Sequence, residues 1–184
     1  VNADIFDDVL VDDYFDFIWC SGVLHHTKNP YQAFEVISKS LKRDGYILLG
    51  LYNKIGRIRT ILRKYLSKIF GLKFLEIFDP TLKNLKISDA ERKSWIKDQY
   101  LHPIESLHTL DEVLDWFKKN DIEYINSIPS CDFEFSQDYN DLFVKKSRGN
   151  LYSRIINQFF MIFNKLGSDG GLFIVIGKKN IKNT

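Results

Sequence analysis

Residues 15–52 read FDFIWCSGVLHHTKNPYQAFEVISKSLKRDGYILLGLY, and this stretch decides the fold. It begins and ends with short apolar runs, residues 15–21 and 46–52, whose length and aromatic content are typical of buried strands. Between them, Asn29 is a capping residue, Pro30 suits the first helical position, and apolar side chains recur at helical spacing. Two apolar strands joined by an amphipathic helix predict a right-handed parallel crossover in an α/β sheet covered on both faces.

The composition bounds the class of protein. The 184 residues are 45% hydrophobic and 27% charged, which is typical of a globular domain and excludes disorder and collagen-like repeats. The formal net charge of +2 argues against a nucleic-acid partner. Cys20 and Cys131 are expected to be free thiols in a reducing, cytoplasmic compartment. The longest apolar run, residues 159–163, is far shorter than a membrane span.

Basic and capping patterns organise the middle of the chain. Residues 54–75 hold seven cations and no acid among apolar residues at helical spacing, which predicts one basic amphipathic helix, followed by a loop over 76–87. Capping-box pairs Ser88/Glu91 and Thr109/Glu112 then predict two further helices. The second of these is expected to end at Asn120, in a left-handed turn.

The last third of the sequence predicts two strands and a helix. Residues 122–128 form a strand that Pro129 ends, and residues 151–166 form an apolar helix. Three glycines within residues 167–171 predict a turn, in which Asp169 is a turn residue. The final strand covers residues 172–176.

These motifs resemble the second half of a class I S-adenosylmethionine-dependent methyltransferase. In that family a strand reading F-D-x-V/I precedes a small-residue turn, an L-H-H, a helix, a glycine turn and a strand. Residues 15–18, 21–26 and 41–45 occupy those places. The resemblance implies a Rossmann-like sheet with an antiparallel last strand, inserted helices and S-adenosylmethionine as cofactor. Gly45 is expected to be the residue with positive φ in its turn.

The resemblance also implies cofactor contacts. Residues 2–4 resemble a family element whose acid, here Asp4, meets the adenine amino group, while the next residue, Ile5, packs near the ring. Cys20, Ser21 and Gly22 end the first strand, where open α/β sheets bind ligands. The competing interpretation is that Asp4 is a solvated loop residue and that the other three merely end a strand.

Histidines and strand ends supply the candidates for chemistry. His25 and His26 are candidate catalytic residues, although packing and capping are equally good interpretations of both. Tyr52 and Asn53 end the second strand and are predicted to line the acceptor pocket; an ordinary strand-to-loop junction is the alternative.

The segment LHPIESLHT, residues 101–109, is predicted to fold over the site, with His102 and His108 in the acceptor pocket. A histidine there would be able to take a proton from an acceptor. The alternative is that these histidines are structural. No histidine or cysteine spacing typical of a metal site occurs, so no metal is expected.

The family pattern divides the chain into five parts. Residues 1–53 are a partial Rossmann-like core, 54–107 a helical insertion, 108–128 a core helix and strand, 129–170 a second insertion, and 171–184 the last strand with a tail. The family's glycine-rich loop and ribose-binding acid have no counterpart here. We therefore expect a fragment, preceded by roughly a hundred residues and inactive alone.

Three functions remain open from the sequence. The first is methyl transfer to a small-molecule acceptor, achieved by holding the acceptor in line with the methyl group. The second is a peripheral membrane or anionic-ligand module that uses the basic helix at 54–75. The third is another nucleotide fold, such as a nicotinamide-dependent one. The sequence leaves the oligomeric state open.

Overall fold

The computed structural model describes residues 3–7, 9–83, 88–133, 141–163 and 171–181. A short 3₁₀ turn spans Leu24–His26. The predicted turn residue Asp169, and Asn2 of the adenine-contact element, lie outside the described residues. The strands and helices are β1 Phe15–Ser21, α1 Pro30–Ser40, β2 Leu41–Tyr52, α2 Ile58–Phe70, α3 Lys73–Phe78, α4 Asp89–Leu101, α5 Leu110–Lys119, β3 Ile122–Ile128, α6 Leu151–Phe160 and β4 Leu172–Lys179.

The four strands form one sheet in the order β1-β2-β4-β3. β1 and β2 pair in parallel, with Ser21 opposite Gly50, whereas β4 lies antiparallel between β2 and β3. This order confirms the predicted α/β, Rossmann-like sheet with an antiparallel last strand. The parallel pairing brings the carboxyl ends of β1 and β2 to the same edge of the sheet, called the rim below.

The expectation that β1 is buried on both faces is wrong. Phe17 and Trp19 are exposed, while Cys20 is buried in the main core cluster with side chains of α1 and α5. β1 is the edge strand of the described sheet, and successive side chains of a strand point to opposite faces. The helices α1 and α5 cover one face, so the alternate residues of β1 remain exposed.

Two turn predictions are corrected by the backbone. The turn predicted at residues 42–45 lies within β2, and its residue with positive φ is Asp44, at 66°, not Gly45. Gly45 is required for steric reasons, because a Cβ at this position would lie 2.9 Å from the carbonyl oxygen of Lys42. After α5 the left-handed residue is Asp121, with φ of 55°, not Asn120.

The helix predictions hold in type but not in length. The helix predicted over 54–75 is interrupted at Gly71, whose φ of 80° is incompatible with helix, and α3 extends into the predicted loop. The helix predicted over 151–166 ends at Phe160. The predicted caps Asn29 and Ser88 are confirmed.

Lys179 fixes the end of α1 to the sheet. Its ammonium group is buried and donates to the carbonyl oxygens of Ser38 and Leu41 at 3.0 and 2.6 Å. It also lies 3.0 Å from the carboxylate of Asp13. A cation at a helix carboxyl terminus satisfies carbonyl groups that have no helical partner and interacts favourably with the helix dipole. The last strand therefore holds the crossover helix in place.

We expect Lys179→Met to lower the free energy of unfolding by about 2–3 kcal/mol, because buried carbonyl groups lose a charged donor. Lys178→Met is the matched control on the same strand, since Lys178 makes a surface ion pair with Asp44. That control should change stability little. Urea denaturation measures both variants, and equal losses would contradict the capping role.

Candidate functional site

The turn after β1 leaves open space at the rim. The Gly22 N–H donates to the Gly50 carbonyl at 3.0 Å, which joins the ends of β1 and β2. Gly22 has a φ of 77°, and a Cβ placed on it would have no heavy atom within 4 Å. The backbone here is therefore open to approach by a ligand, at the edge of the sheet where α/β folds bind ligands.

The predicted cofactor residues have different surroundings. Asp4 is exposed, and its carboxylate accepts the Phe6 N–H at 3.0 Å, while Ile5 packs against the main core. The Cys20 thiol is buried, which raises its pKa to about 11 and keeps it neutral. Its side chain belongs to the core, so Ser21 and Gly22 are the strand-end residues left at the rim.

Residues 104–108, called the strap below, lie across the end of β2. The Ser106 N–H donates to the His25 carbonyl at 2.8 Å, and the His108 N–H donates to the Tyr52 carbonyl at 2.9 Å. The Lys54 N–H donates to the His108 carbonyl at 2.9 Å. These backbone bonds bring the predicted residues His25, Tyr52 and His108 together, although they are far apart in the sequence.

Arg57 is a buried cation beneath the strap. Its side chain is 1% exposed and its guanidinium carbon lies 3.6 Å from the centre of the Tyr52 ring. It donates to the side-chain oxygen of Gln99 at 2.8 Å and to Glu105 at 3.1 Å. Gln99 in turn donates to the Tyr52 hydroxyl at 2.9 Å. Arg57, Gln99 and Glu105 are not among the residues predicted for the site, because nothing in the local pattern marks one basic residue among seven as buried.

Tyr52 and Asn53, which are predicted to line the acceptor pocket, are both buried. The Asn53 amide donates to Gln158 at 2.8 Å, and its oxygen accepts the N–H groups of Ile55 and Gly56, both at 2.9 Å. Asn53 thus fixes the loop that leads into α2. Contact of either side chain with an acceptor stays a prediction.

Three histidine rings lie in contact beside Tyr52. The His25 ring centre is 4.0 Å from that of Tyr52 and 4.3 Å from that of His26, which is in turn 4.0 Å from that of His102. Burial, and then the charges of its neighbours, lowers the pKa of His25 to about 3. His25 is therefore a neutral imidazole at physiological pH, and His26 and His102 are its half-buried neighbours.

His108 connects a hydroxyl to a carboxylate. Its Nε2 lies 2.8 Å from Ser106 Oγ, and its Nδ1 lies 2.8 Å from a carboxylate oxygen of Glu112. Thr109 caps α5 as predicted, accepting the Glu112 N–H, but the Glu112 carboxylate turns to His108. Glu112 therefore belongs to the predicted capping motif and also to an i,i+4 pair with His108, which the sequence did not lead us to predict.

Within the described ranges, no set of three or more His, Cys, Asp and Glu side chains is placed to hold a metal ion. No helix in this part of the chain is long and apolar enough to cross a membrane.

Comparison with known proteins agrees with this architecture. Residues 1–49 match the protein family described as a methyltransferase domain. The solved structure of PKMT2 from Rickettsia typhi is similar over 99% of this chain and 38% of its own, with 15% identity and a TM-score of 0.63. PKMT2 with AdoHcy bound gives a TM-score of 0.61 at 15% identity, over 97% of this chain and 38% of its own.

A third solved structure, a SAM-dependent methyltransferase of Thermotoga maritima described as a possible histamine N-methyltransferase, is 13% identical. The similarity covers 98% of this chain and 63% of that protein, with a TM-score of 0.45. The chain thus spans less than two thirds of the length of these proteins. The two PKMT2 structures share its fold, and the match of residues 1–49 to a methyltransferase domain supports the resemblance seen in the sequence.

His25 gives the protein a defined sensitivity to acid. The unfolded chain takes up a proton at His25 near its ordinary pKa of 6.5, but the folded protein resists protonation until about pH 3. The free energy of unfolding therefore falls as the pH drops through this window. In His25→Phe we expect the free energy of unfolding to fall less steeply with decreasing pH, with a slope smaller by up to about 1.4 kcal/mol per pH unit. Urea denaturation between about pH 7 and 4 tests this, and equal slopes would contradict the burial of a neutral imidazole.

Proposed function

We propose that this chain is the part of a methyltransferase that carries the acceptor side of the active site and one wall of the cofactor site. The observation that carries the proposal is the shared rim of β1 and β2, with open backbone at Gly22 beside the polar cluster of His25, Tyr52 and Arg57. In this proposal a small-molecule acceptor meets the cluster where the strap crosses the end of β2.

The residues at the rim fit a nucleotide-like cofactor. The space beside Gly22 admits a ligand close to the backbone, and Ser21 offers a half-buried hydroxyl next to it. Ile5 packs beside the core near the start of the chain and Asp4 offers an exposed carboxylate, as the family pattern requires. When bound, S-adenosylmethionine supplies a methyl group on a positively charged sulfur, which keeps the bonding electron pair as the methyl group leaves.

The chain's own contribution is orientation and exclusion of water. The strap and the buried Arg57 hold the rim in one arrangement, because backbone and side-chain hydrogen bonds join it to β2 and α4. Fixing an acceptor in line with the methyl group removes much of the entropic barrier to the reaction. A dry, preorganised rim strengthens the polar contacts that align the acceptor.

We expect Gly22→Leu to abolish binding of S-adenosylhomocysteine in the natural full-length protein, because the side chain fills the open space. Gly71→Leu is the matched control, since Gly71 has a φ of 80° and equally open surroundings, but lies between α2 and α3. Both variants carry similar backbone strain. Titration calorimetry with S-adenosylhomocysteine and with NAD measures binding; tight NAD binding, or equal loss in both variants, would refute the cofactor site.

A second candidate function is binding to an anionic membrane surface through α2. This helix buries small polar residues, Thr60 and Ser67, at 6% and 7% exposure. Its apolar face is exposed instead, with Ile58 48%, Leu62 56%, Tyr65 62% and Ile69 73% exposed. Residues 54–75 carry seven cations and no acid. An exposed apolar face bordered by cations has the chemistry of an interfacial helix.

We expect the protein to sediment with vesicles that contain phosphatidylserine and not with pure phosphatidylcholine, with less binding at high salt. The double variant Leu62→Glu/Ile69→Glu should reduce this binding at least about ten-fold. Val11→Glu is the control, because Val11 is equally exposed but lies outside the helix. Absence of sedimentation, or a dimer in solution that the double variant disrupts, would contradict a lipid surface.

A further inference from the structure

Ser106, His108 and Glu112 form a hydrogen-bonded series beside the rim, and this series is called the relay below. The order is hydroxyl, imidazole and carboxylate, with 2.8 Å at each step. In this order an imidazole can take a proton from a hydroxyl while the carboxylate stabilises the resulting cation. Backbone hydrogen bonds already join the strap to the end of β2, so the fold does not need this series of side chains to hold the strap in place.

The positions of the protons follow from the neighbours. An ionised carboxylate only accepts, so the proton of His108 lies on Nδ1, towards Glu112. The Ser106 hydroxyl then has two acceptors, His108 Nε2 at 2.8 Å and the His25 carbonyl at 3.2 Å. That carbonyl already accepts the Ser106 N–H at 2.8 Å. The shorter contact favours donation from Ser106 to a neutral His108.

Glu112 is suited to stabilise charge on His108. Burial alone would raise the pKa of Glu112, but the hydrogen bonds from His108 and from the Thr109 backbone, with the nearby positive charge of Lys54, outweigh it. The pKa of Glu112 is therefore lowered, and the carboxylate is ionised at neutral pH. The ring of Trp116 packs against His108, with ring centres 5.1 Å apart, and holds the imidazole in place.

Unused hydrogen-bonding capacity lies next to the relay. Both ring nitrogens of His25 and the second carboxylate oxygen of Glu105 are buried, and in the described part of the chain they have no hydrogen-bond partner. Both groups lie against the stacked pair of Tyr52 and Arg57. The His25 ring contacts the Tyr52 ring, and Glu105 binds the Arg57 guanidinium that stacks on the same ring. Buried polar groups are normally paired, so this spot has the character of a site completed by a polar guest.

We propose that the relay receives the proton of a hydroxyl or amine acceptor. This proposal rests on the methyl transfer proposed above. As the acceptor's lone pair forms its new bond to carbon, the proton it loses passes to Ser106 Oγ, and the Ser106 proton passes to His108 Nε2. The product is an imidazolium held by Glu112. The carboxylate of Glu112 next to His108 disfavours an anionic acceptor at this place.

Nuclear magnetic resonance of the ring nitrogens distinguishes the relay from a structural hydrogen bond. We expect the ring proton of His108 in the full-length protein to lie on Nδ1, with Nε2 unprotonated. If Ser106 donated to the His25 carbonyl instead, His108 would have to donate from both nitrogens and would be an imidazolium. An imidazolium, or a proton on Nε2 alone, would overturn the proposal.

The reactivity of Ser106 gives a second measurement. With diisopropyl fluorophosphate, Ser106 Oγ would bond to phosphorus as fluoride leaves and the hydroxyl proton passes to His108. We expect labelling at Ser106 by mass spectrometry, slowed about 100-fold in Glu112→Gln and unchanged in Asp115→Asn, a matched acid on the same helix. Labelling that does not depend on Glu112, or its absence, would overturn the relay.

Calorimetry with S-adenosylhomocysteine separates the two proposals. We expect Glu112→Gln to bind this ligand as the unaltered protein does, because Glu112 lies on α5 and not in the turn at Gly22. Retained binding without Glu112-dependent labelling would refute the relay alone. Loss of binding in the unaltered protein would refute the methyltransferase, whatever the state of His108.

Discussion

The buried guanidinium of Arg57 is the interaction on which the rim depends. It joins the end of β2, helix α4 and the strap through Tyr52, Gln99 and Glu105. An arginine suits this position, because its planar group stacks on a ring and donates in two directions at once. A buried cation is tolerated only with such compensation, so the three segments are held in a single arrangement.

The rest of the fold positions this cluster. Parallel pairing of β1 and β2 brings the turn at Gly22 beside the end of β2, and Lys179 ties α1 to the far end of the sheet. Helix α2 behaves differently, because it buries polar residues and exposes apolar ones. The buried Arg57 just before α2 completes the polar rim, while the exposed face of α2 presents apolar side chains among cations. The two proposed functions use different residues and do not compete.

Local sequence patterns predicted the elements with good accuracy. Residues 15–21 and 122–128 are strands as predicted, and the caps at Asn29 and Ser88 are present, since these signals depend on neighbouring residues only. Lengths were less predictable. The chain changes direction at Gly71 and at Asp121, where φ is positive. Tertiary packing decides where such a change falls, so local patterns do not locate a helix end to the residue. Likewise, exposure of β1 followed from its edge position, which periodicity does not encode.

The sequence by itself determined the α/β order, the family resemblance and the proximity of β1 and β2, because these follow from periodicity and the handedness of crossovers. It also singled out His25, His26, Tyr52, His102 and His108. Only the tertiary structure decided that Arg57 is the one basic residue of its helix region to be buried, and that Ser106 and Glu112 flank His108. The contacts of Arg57 join residues far apart in the sequence, so they arise only when the strap meets the end of β2. The spacing of His108 and Glu112 suits a helical pair, but only the folded strap brings Ser106 to the other side of the imidazole.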